Sequence, residues 1–123
     1  MQTFILQELT TIRGATSTNV TQNESGWLDL SAFQDIVTYV ETKRVTGTVT
    51  ITFQTACTKD DAMFTFMITG AALAAGTTVT KFMANAAATT VPVARYLRWV
   101  LTAPAATWDA TLRIYIAANT AGR

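Results

Sequence analysis

The stretch Ile36–Thr55, IVTYVETKRVTGTVTITFQT, decides the fold class. A strand-like run, Ile36–Thr42, passes through Lys43, Arg44, Val45, Thr46 and Gly47 into a second run, Thr48–Thr55. Apolar and hydroxyl residues alternate along it, and a period of two lays Val49, Ile51 and Phe53 on one face of an extended chain. That face is expected to anchor a core against Leu97, Trp99, Leu112 and Ile114. The opposite, Thr-rich face is left for solvent or a partner.

Toward the N-terminus, Gly26–Asp35 reads as a short strand, a turn seeded by Asp29 and Ser31, and entry into the central strand. Trp27 and Phe33 are expected to seal one end of the core. Residues 1–26 open with the apolar patch Phe4-Ile5-Leu6 and continue through a polar, Thr-rich stretch. They read as an N-terminal arm or, preferably, an edge strand, because termini are often tied down by joining a sheet. The sequons at Asn19 and Asn23 match the glycosylation pattern, but a Thr-rich chain produces such matches by chance.

Toward the C-terminus, Cys57–Asp61 reads as a polar loop, and Met63–Thr69 as a strand with Phe64, Phe66 and Ile68 on one face and Thr65 and Met67 on the other. Gly70–Thr78 is small-residue and Gly-bounded, a loop or single turn. Val79–Met83 is a short strand, and the loop Ala84–Ala94 contains Pro92, which argues against a central strand there. Arg95–Thr102 sets Leu97, Trp99 and Leu101 on one face, and Ala103–Thr107 makes a turn. Thr111–Ala117 then alternates Leu112, Ile114 and Ile116 against Arg113 and Tyr115. Seven or eight strands at this spacing, about, predict an all-β, single-domain antiparallel β-sandwich over residues 27–123. Threonine fills roughly one position in five, and is expected mostly on outward faces, where a β-branched residue stiffens the pleat and tolerates water.

Composition narrows the function classes. A chain of 123 residues fits one domain and buries roughly 65% of its unfolded surface. Apolar residues make up 50% but fall in short runs, not the roughly 20 consecutive ones of a membrane helix. The opening residues lack a basic leader, which argues against Sec-type export; a mature domain whose signal has been removed stays open. Nine basic and eight acidic residues give a formal charge of +1 and are dispersed, which disfavours nucleic-acid binding. Only 14% of residues are charged, about half the usual fraction, so little repulsion keeps copies apart and a homo-oligomer is expected.

No cluster declares a chemistry. Without histidine the usual general base is missing, and no enzyme activity is expected. Asp60 and Asp61 are adjacent, so in an extended segment they point apart and are expected as solvated loop residues. No run has the alternating acidic spacing that wraps a calcium ion, so neither metal nor cofactor is expected. Cys57, the one cysteine, lacks an activating base and is expected as a small buried filler. The aromatics Trp27, Tyr39, Trp99, Trp108 and Tyr115 raise the alternative of a sugar-stacking platform, although Trp99 shares a face with Leu97 and Leu101 and reads as core. Tyr39 and Tyr115, on the less apolar faces of their strands, and the patch Phe4, Ile5 and Leu6 are the candidate partner-binding residues. Arg98 and Arg113 are placed to pair with carboxylates across the sheet.

The segment Gly26–Phe64, with WLDLSAFQDIV, then TVTITFQTA and a charged loop, resembles small β-sandwich structural proteins of tailed phages and related prophage proteins. The resemblance covers about a third of the chain. It implies a non-enzymatic virion component, assembled in the host cytoplasm, that decorates or stabilises a capsid by contacting the major capsid protein, other virion proteins or further copies of itself. The runs ARYLRWVLT, from Ala94, and ATLRIYIAA, from Ala110, resemble the closing strands of galactose-binding-type jelly rolls. That likeness implies a jelly-roll-like sandwich and, as the alternative function, carbohydrate binding.

Overall fold

A computed structural model of the chain describes residues 2–15, 19–73, 78–84, 93–103 and 107–120. Among these, nine strands follow one another: β1 (Gln2–Gly14), β2 (Val20–Thr21), β3 (Leu28–Asp29), β4 (Phe33–Thr46), β5 (Thr50–Ala56), β6 (Thr65–Ala72), β7 (Thr78–Ala84), β8 (Tyr96–Thr102) and β9 (Trp108–Thr120). They form two antiparallel sheets, one ordered β1-β9-β4-β7 and the other β2-β8-β5-β6, with β3 also paired to β8. The architecture is an all-β sandwich.

The two strands of Ile36–Thr55 do not pair with one another. β4 lies between β9 and β7 in one sheet, and β5 between β8 and β6 in the other. Between them Gly47 turns the chain at φ +83, a left-handed conformation costly for any side chain with a Cβ. A Cβ at Gly47 would also stand 3.2 Å from the Thr107 carbonyl. The stretch is therefore a corner that carries the chain from one layer to the next.

Period-two patterning supplies the core from both layers. Val49, just before β5, and Ile51 and Phe53 within it are buried beside Leu97, Trp99 and Leu101 of β8, in the register Ile51 to Leu101 and Phe53 to Trp99. Leu112, Ile114 and Ile116 of β9 belong to the same cluster from the other sheet. Fully burying each such aliphatic side chain contributes roughly 1.5–3 kcal/mol. Phe33 packs against this core, edge-on to Phe4 at 5.4 Å between ring centroids.

Several expectations from the sequence are corrected. Thr38, Thr42 and Thr55 are buried, because the first two alternate in phase with Ile36 and Val40 on β4 and Thr55 with Ile51 and Phe53 on β5. Thr55 accepts a bond from the Ala94 amide and donates one to the Tyr96 carbonyl, both 2.8 Å. Cys57 is exposed, one residue beyond the end of β5. Trp27 does not seal the core; its indole meets Phe64 edge-on at 4.7 Å, and the Arg98 guanidinium lies against both rings, 5.1 Å from Trp27 and 3.9 Å from Phe64. Asp60 and Asp61 do more than solvate a loop. Asp60 caps a 3-10 turn, Asp61–Met63, by accepting from the Ala62 amide, and Asp61 accepts from Arg98 at 2.5 Å. Gly70, Ala71 and Ala72 continue β6 and are not loop.

On β6 it is Met67 that is buried, while Phe66 is 58% exposed. The expected turn at Asp29 and Ser31 forms, with the Ser31 amide donating to Asp29 at 3.0 Å. Most of the expected loop Ala84–Ala94 and the middle of the turn Ala103–Thr107 lie outside the described residues.

The N-terminal patch enters the sheet. β1 pairs along its length with β9, from Gln2 opposite Ala118 to Gly14 opposite Trp108, with irregularities between Ile5 and Gln7 and between Gln7 and Thr10. The sheets are tied near this edge by Gln22, 4% exposed. Its amide nitrogen donates to the carbonyls of Leu6 (2.7 Å) and Gly26 (2.9 Å), and its amide oxygen accepts from the Trp99 amide (3.3 Å).

Candidate functional site

The outer face of the β1-β9-β4-β7 sheet follows directly from the inner one. Because Ile36, Thr38, Val40 and Thr42 point inward on β4, Val37, Tyr39, Glu41 and Lys43 point outward. On β9 the inward set Leu112, Ile114 and Ile116 leaves Arg113, Tyr115 and Ala117 outside. Strand register then decides which of these meet. Tyr39 is opposite Tyr115, Glu41 is opposite Arg113, and Ile5 is opposite Tyr115 from the other side. The result is an unbroken row Ile5, Tyr115, Tyr39, with the Glu41–Arg113 pair beside it.

Arg113 donates to Glu41 through Nε (3.1 Å) and Nη2 (2.5 Å), and Lys43 donates to the other carboxylate oxygen at 3.0 Å. The Arg113 guanidinium also lies 4.9 Å from the Tyr115 ring centroid, within reach of its π-face. The bonds from Arg113 and Lys43 hold the Glu41 carboxyl below the usual carboxylate range, and the bond to Glu41 raises the Arg113 guanidinium further. Tyr39, Glu41, Arg113 and Tyr115, together with Thr3, Val79 and Ala117, line a shallow depression of about 540 Å³.

The five candidate contact residues divide. Ile5, 49% exposed, joins Tyr39 and Tyr115 on the outer face. Phe4 and Leu6, one position to either side, point the other way; Leu6 is 4% exposed and Phe4 packs against the core. The wider aromatic set does not converge, since Trp99 and Trp108 are buried and Trp27 clasps Arg98 of the other sheet. Glu41 and Val79 belong to the surface, yet no local pattern marks them. Their membership comes from pairings across strands distant in sequence.

Chemically, this surface offers two phenols, aliphatic contacts and one carboxylate held by two cations, Arg113 and Lys43. Among the described residues no group of three or more His, Cys, Asp or Glu side chains is placed to hold a metal ion, and no helix is long and apolar enough to cross a membrane.

No protein-family model matches the chain, and no curated protein matches it. Among solved structures the chain is similar to three of infectious bursal disease virus. The VP2 subviral particle gives a TM-score of 0.56 at 12% identity over 99% of this chain and 32% of that one. The virus-derived T=1 particles give 0.54 at 11%, over 98% and 32%. The T13 viral particle gives 0.53 at 8%, over 98% and 31%. The likeness is one of fold. The chain spans about a third of the length of the viral chains it matches, and nearly all of it lies within the aligned region.

Proposed function

We propose that this chain is a non-enzymatic structural component of a virus particle, acting through repeated protein contacts. The observation that carries the reading is that 99% of the chain aligns with a portion of a particle-forming viral protein. The low charge of the chain and the exposed Ile5, Leu9 and Val79 on its outer sheet face support it, since both favour burial against other protein surfaces. Many weak contacts repeated over a shell bind firmly through multivalency, so a strong pocket is not needed. The finer reading is decoration or stabilisation of a tailed-phage capsid, in contact with its major capsid protein, and it rests on the resemblance of Gly26–Phe64 to proteins of that type.

The test is electron microscopy of capsids assembled from the same genome without this gene, before and after adding the purified protein. Regularly spaced new density is the expected result. Absence of binding to capsids together with binding to tails would relocate the protein within the particle, and binding to neither would overturn the reading. The saccharide alternative draws on Tyr39 and Tyr115, with Glu41 and Arg113 available to hydroxyl groups. It predicts a glycan-array signal that Tyr39→Ala or Tyr115→Ala removes.

A further inference from the structure

One row across the outer face of the β1-β9-β4-β7 sheet has an order that is its own complement. Along the row through Arg113, the irregularity between Gln7 and Thr10 sets Glu8 and Leu9 of β1 opposite Arg113. Arg113 is followed by Glu41 of β4, and Glu41 by Val79 of β7. Leu9 and Val79 stand at the two edges of the sheet, 51% and 55% exposed. The two central positions carry opposite charges.

We infer that this face pairs with the same face of a second copy of the chain, about a two-fold axis running parallel to the strands between β9 and β4. Such an axis exchanges β9 with β4 and β1 with β7 while keeping each row at its own height, giving an isologous interface. Arg113 then faces the second copy's Glu41, Tyr115 faces its Tyr39, and the bulged pair Glu8 and Leu9 stands opposite its Val79, with Ile5 and the Lys81 position meeting at the rim. An in-plane axis perpendicular to the strands along the Tyr115–Tyr39 row would instead lay Arg113 on the row of Ala117 and Val37, burying charge against apolar groups at a cost.

The face has the size of a small interface. Strands about 4.8 Å apart, with a rise near 3.3 Å per residue, give β1, β9 and β4 a surface of roughly 10 by 40 Å, to which the shorter β7 adds a strip about half as long, on the order of 500 Å² before side-chain relief is counted. A standard interface buries about 800 Å² per partner. Two aligned sheets meeting face to face, about 10 Å apart, is how sandwiches already pack within one chain. The pairing rests on the reading of the chain as an assembling particle component, and names the surface through which one copy meets another.

Sedimentation velocity of the full chain over a concentration series, with two variants, tests it. The wild type is expected to pass from monomer to dimer. Leu9→Lys places a charge against the second copy's Val79 and is expected to weaken the dimer at least tenfold. Leu9→Lys combined with Val79→Glu is expected to restore it, because the two positions meet only between copies; within one chain they are three strands apart. Both residues are exposed, and circular dichroism with thermal melts verifies that the variants fold. A wild type that stays monomeric, a dimer indifferent to Leu9→Lys, or a double variant that remains weak overturns the pairing. So does a monomer that uses Tyr39 and Tyr115 to bind saccharide. Capsid binding by a chain that stays monomeric overturns the pairing while leaving the particle reading intact, and a dimer that binds no particle does the reverse.

Discussion

Gln22 and Trp99 are joined twice: the Gln22 amide donates to the Trp99 carbonyl at 3.1 Å, and the Trp99 amide donates to the Gln22 side-chain oxygen at 3.3 Å. The same side chain donates to Leu6 on β1, so one glutamine links the edge of one sheet to the middle of the other. Removing it strands buried backbone groups that water cannot reach, and an unsatisfied buried group costs about 1–3 kcal/mol. Gln22→Ala is expected to destabilise the chain by about 3 kcal/mol, read as a fall in urea midpoint at constant slope. Gln22→Glu is expected to be harmful as well, because its carboxylate cannot donate to Leu6.

Gly14 faces Trp108 across the β1–β9 ladder, and a Cβ there would lie 2.3 Å from the indole carbons. The ring is 3% exposed and held within the core cluster, so it has little room to yield. Overpacking of this kind typically costs about 1–3 kcal/mol. Gly14→Ala is expected to lower the melting temperature by several degrees, roughly 4–8 °C per kcal/mol for a domain near this size. Ala15→Ser, at the exposed neighbouring residue, is expected to leave it within about a degree, since surface substitutions stay within ~0.5 kcal/mol.

The layers of this sandwich were legible in the sequence because burial on one face writes a period of two directly into the residues. Val49, Ile51 and Phe53, and likewise Leu112, Ile114 and Ile116, are buried as that period requires. Pairing was not legible, since Tyr39 and Tyr115 become neighbours through a register that local pattern does not encode. Thr38 and Thr42 escaped because threonine suits either side of a sheet, its methyl packing inward as readily as its hydroxyl meets water. Met67 and Phe66 show the same limit. Their alternation was visible, but which of the two faced the core was decided by the opposing layer.

Arg98 is 6% exposed and is satisfied on all sides described: Nε donates to Gln54 at 2.7 Å, Nη1 to Asp61, and the guanidinium lies against Phe64 and Trp27. Arg98→Ala removes the stem and head together and uncovers the two rings it lies against, an expected loss of about 2–4 kcal/mol. Asp61, whose side chain is 82% exposed, contributes less; Asp61→Ala is expected to cost about 1 kcal/mol. Arg98→Met fills the same space without a charge to desolvate, and is expected to fall well below Arg98→Ala. Chemical denaturation of the three variants checks the order.

The outer-face carboxylate sets an acid limit. The Arg113 and Lys43 bonds lower the Glu41 pKa, and the Ser31 amide followed by Arg95 lowers that of Asp29. A carboxyl with a folded-state pKa below its unfolded value binds fewer protons when folded, so its contribution is complete above the unfolded value, about 4. That contribution is lost as pH falls through the lower, folded value. Thermal stability is therefore expected to hold from neutrality to about pH 5 and to drop below about pH 4. Glu41→Gln is expected to flatten that drop in melts followed across pH, and Arg113→Met to return the Glu41 carboxyl toward the ordinary range, followed by carboxyl-carbon NMR titration. If the Glu41 resonance in the unmodified chain titrates at or above the ordinary glutamate value, the ion pair at the centre of this face is not formed in solution.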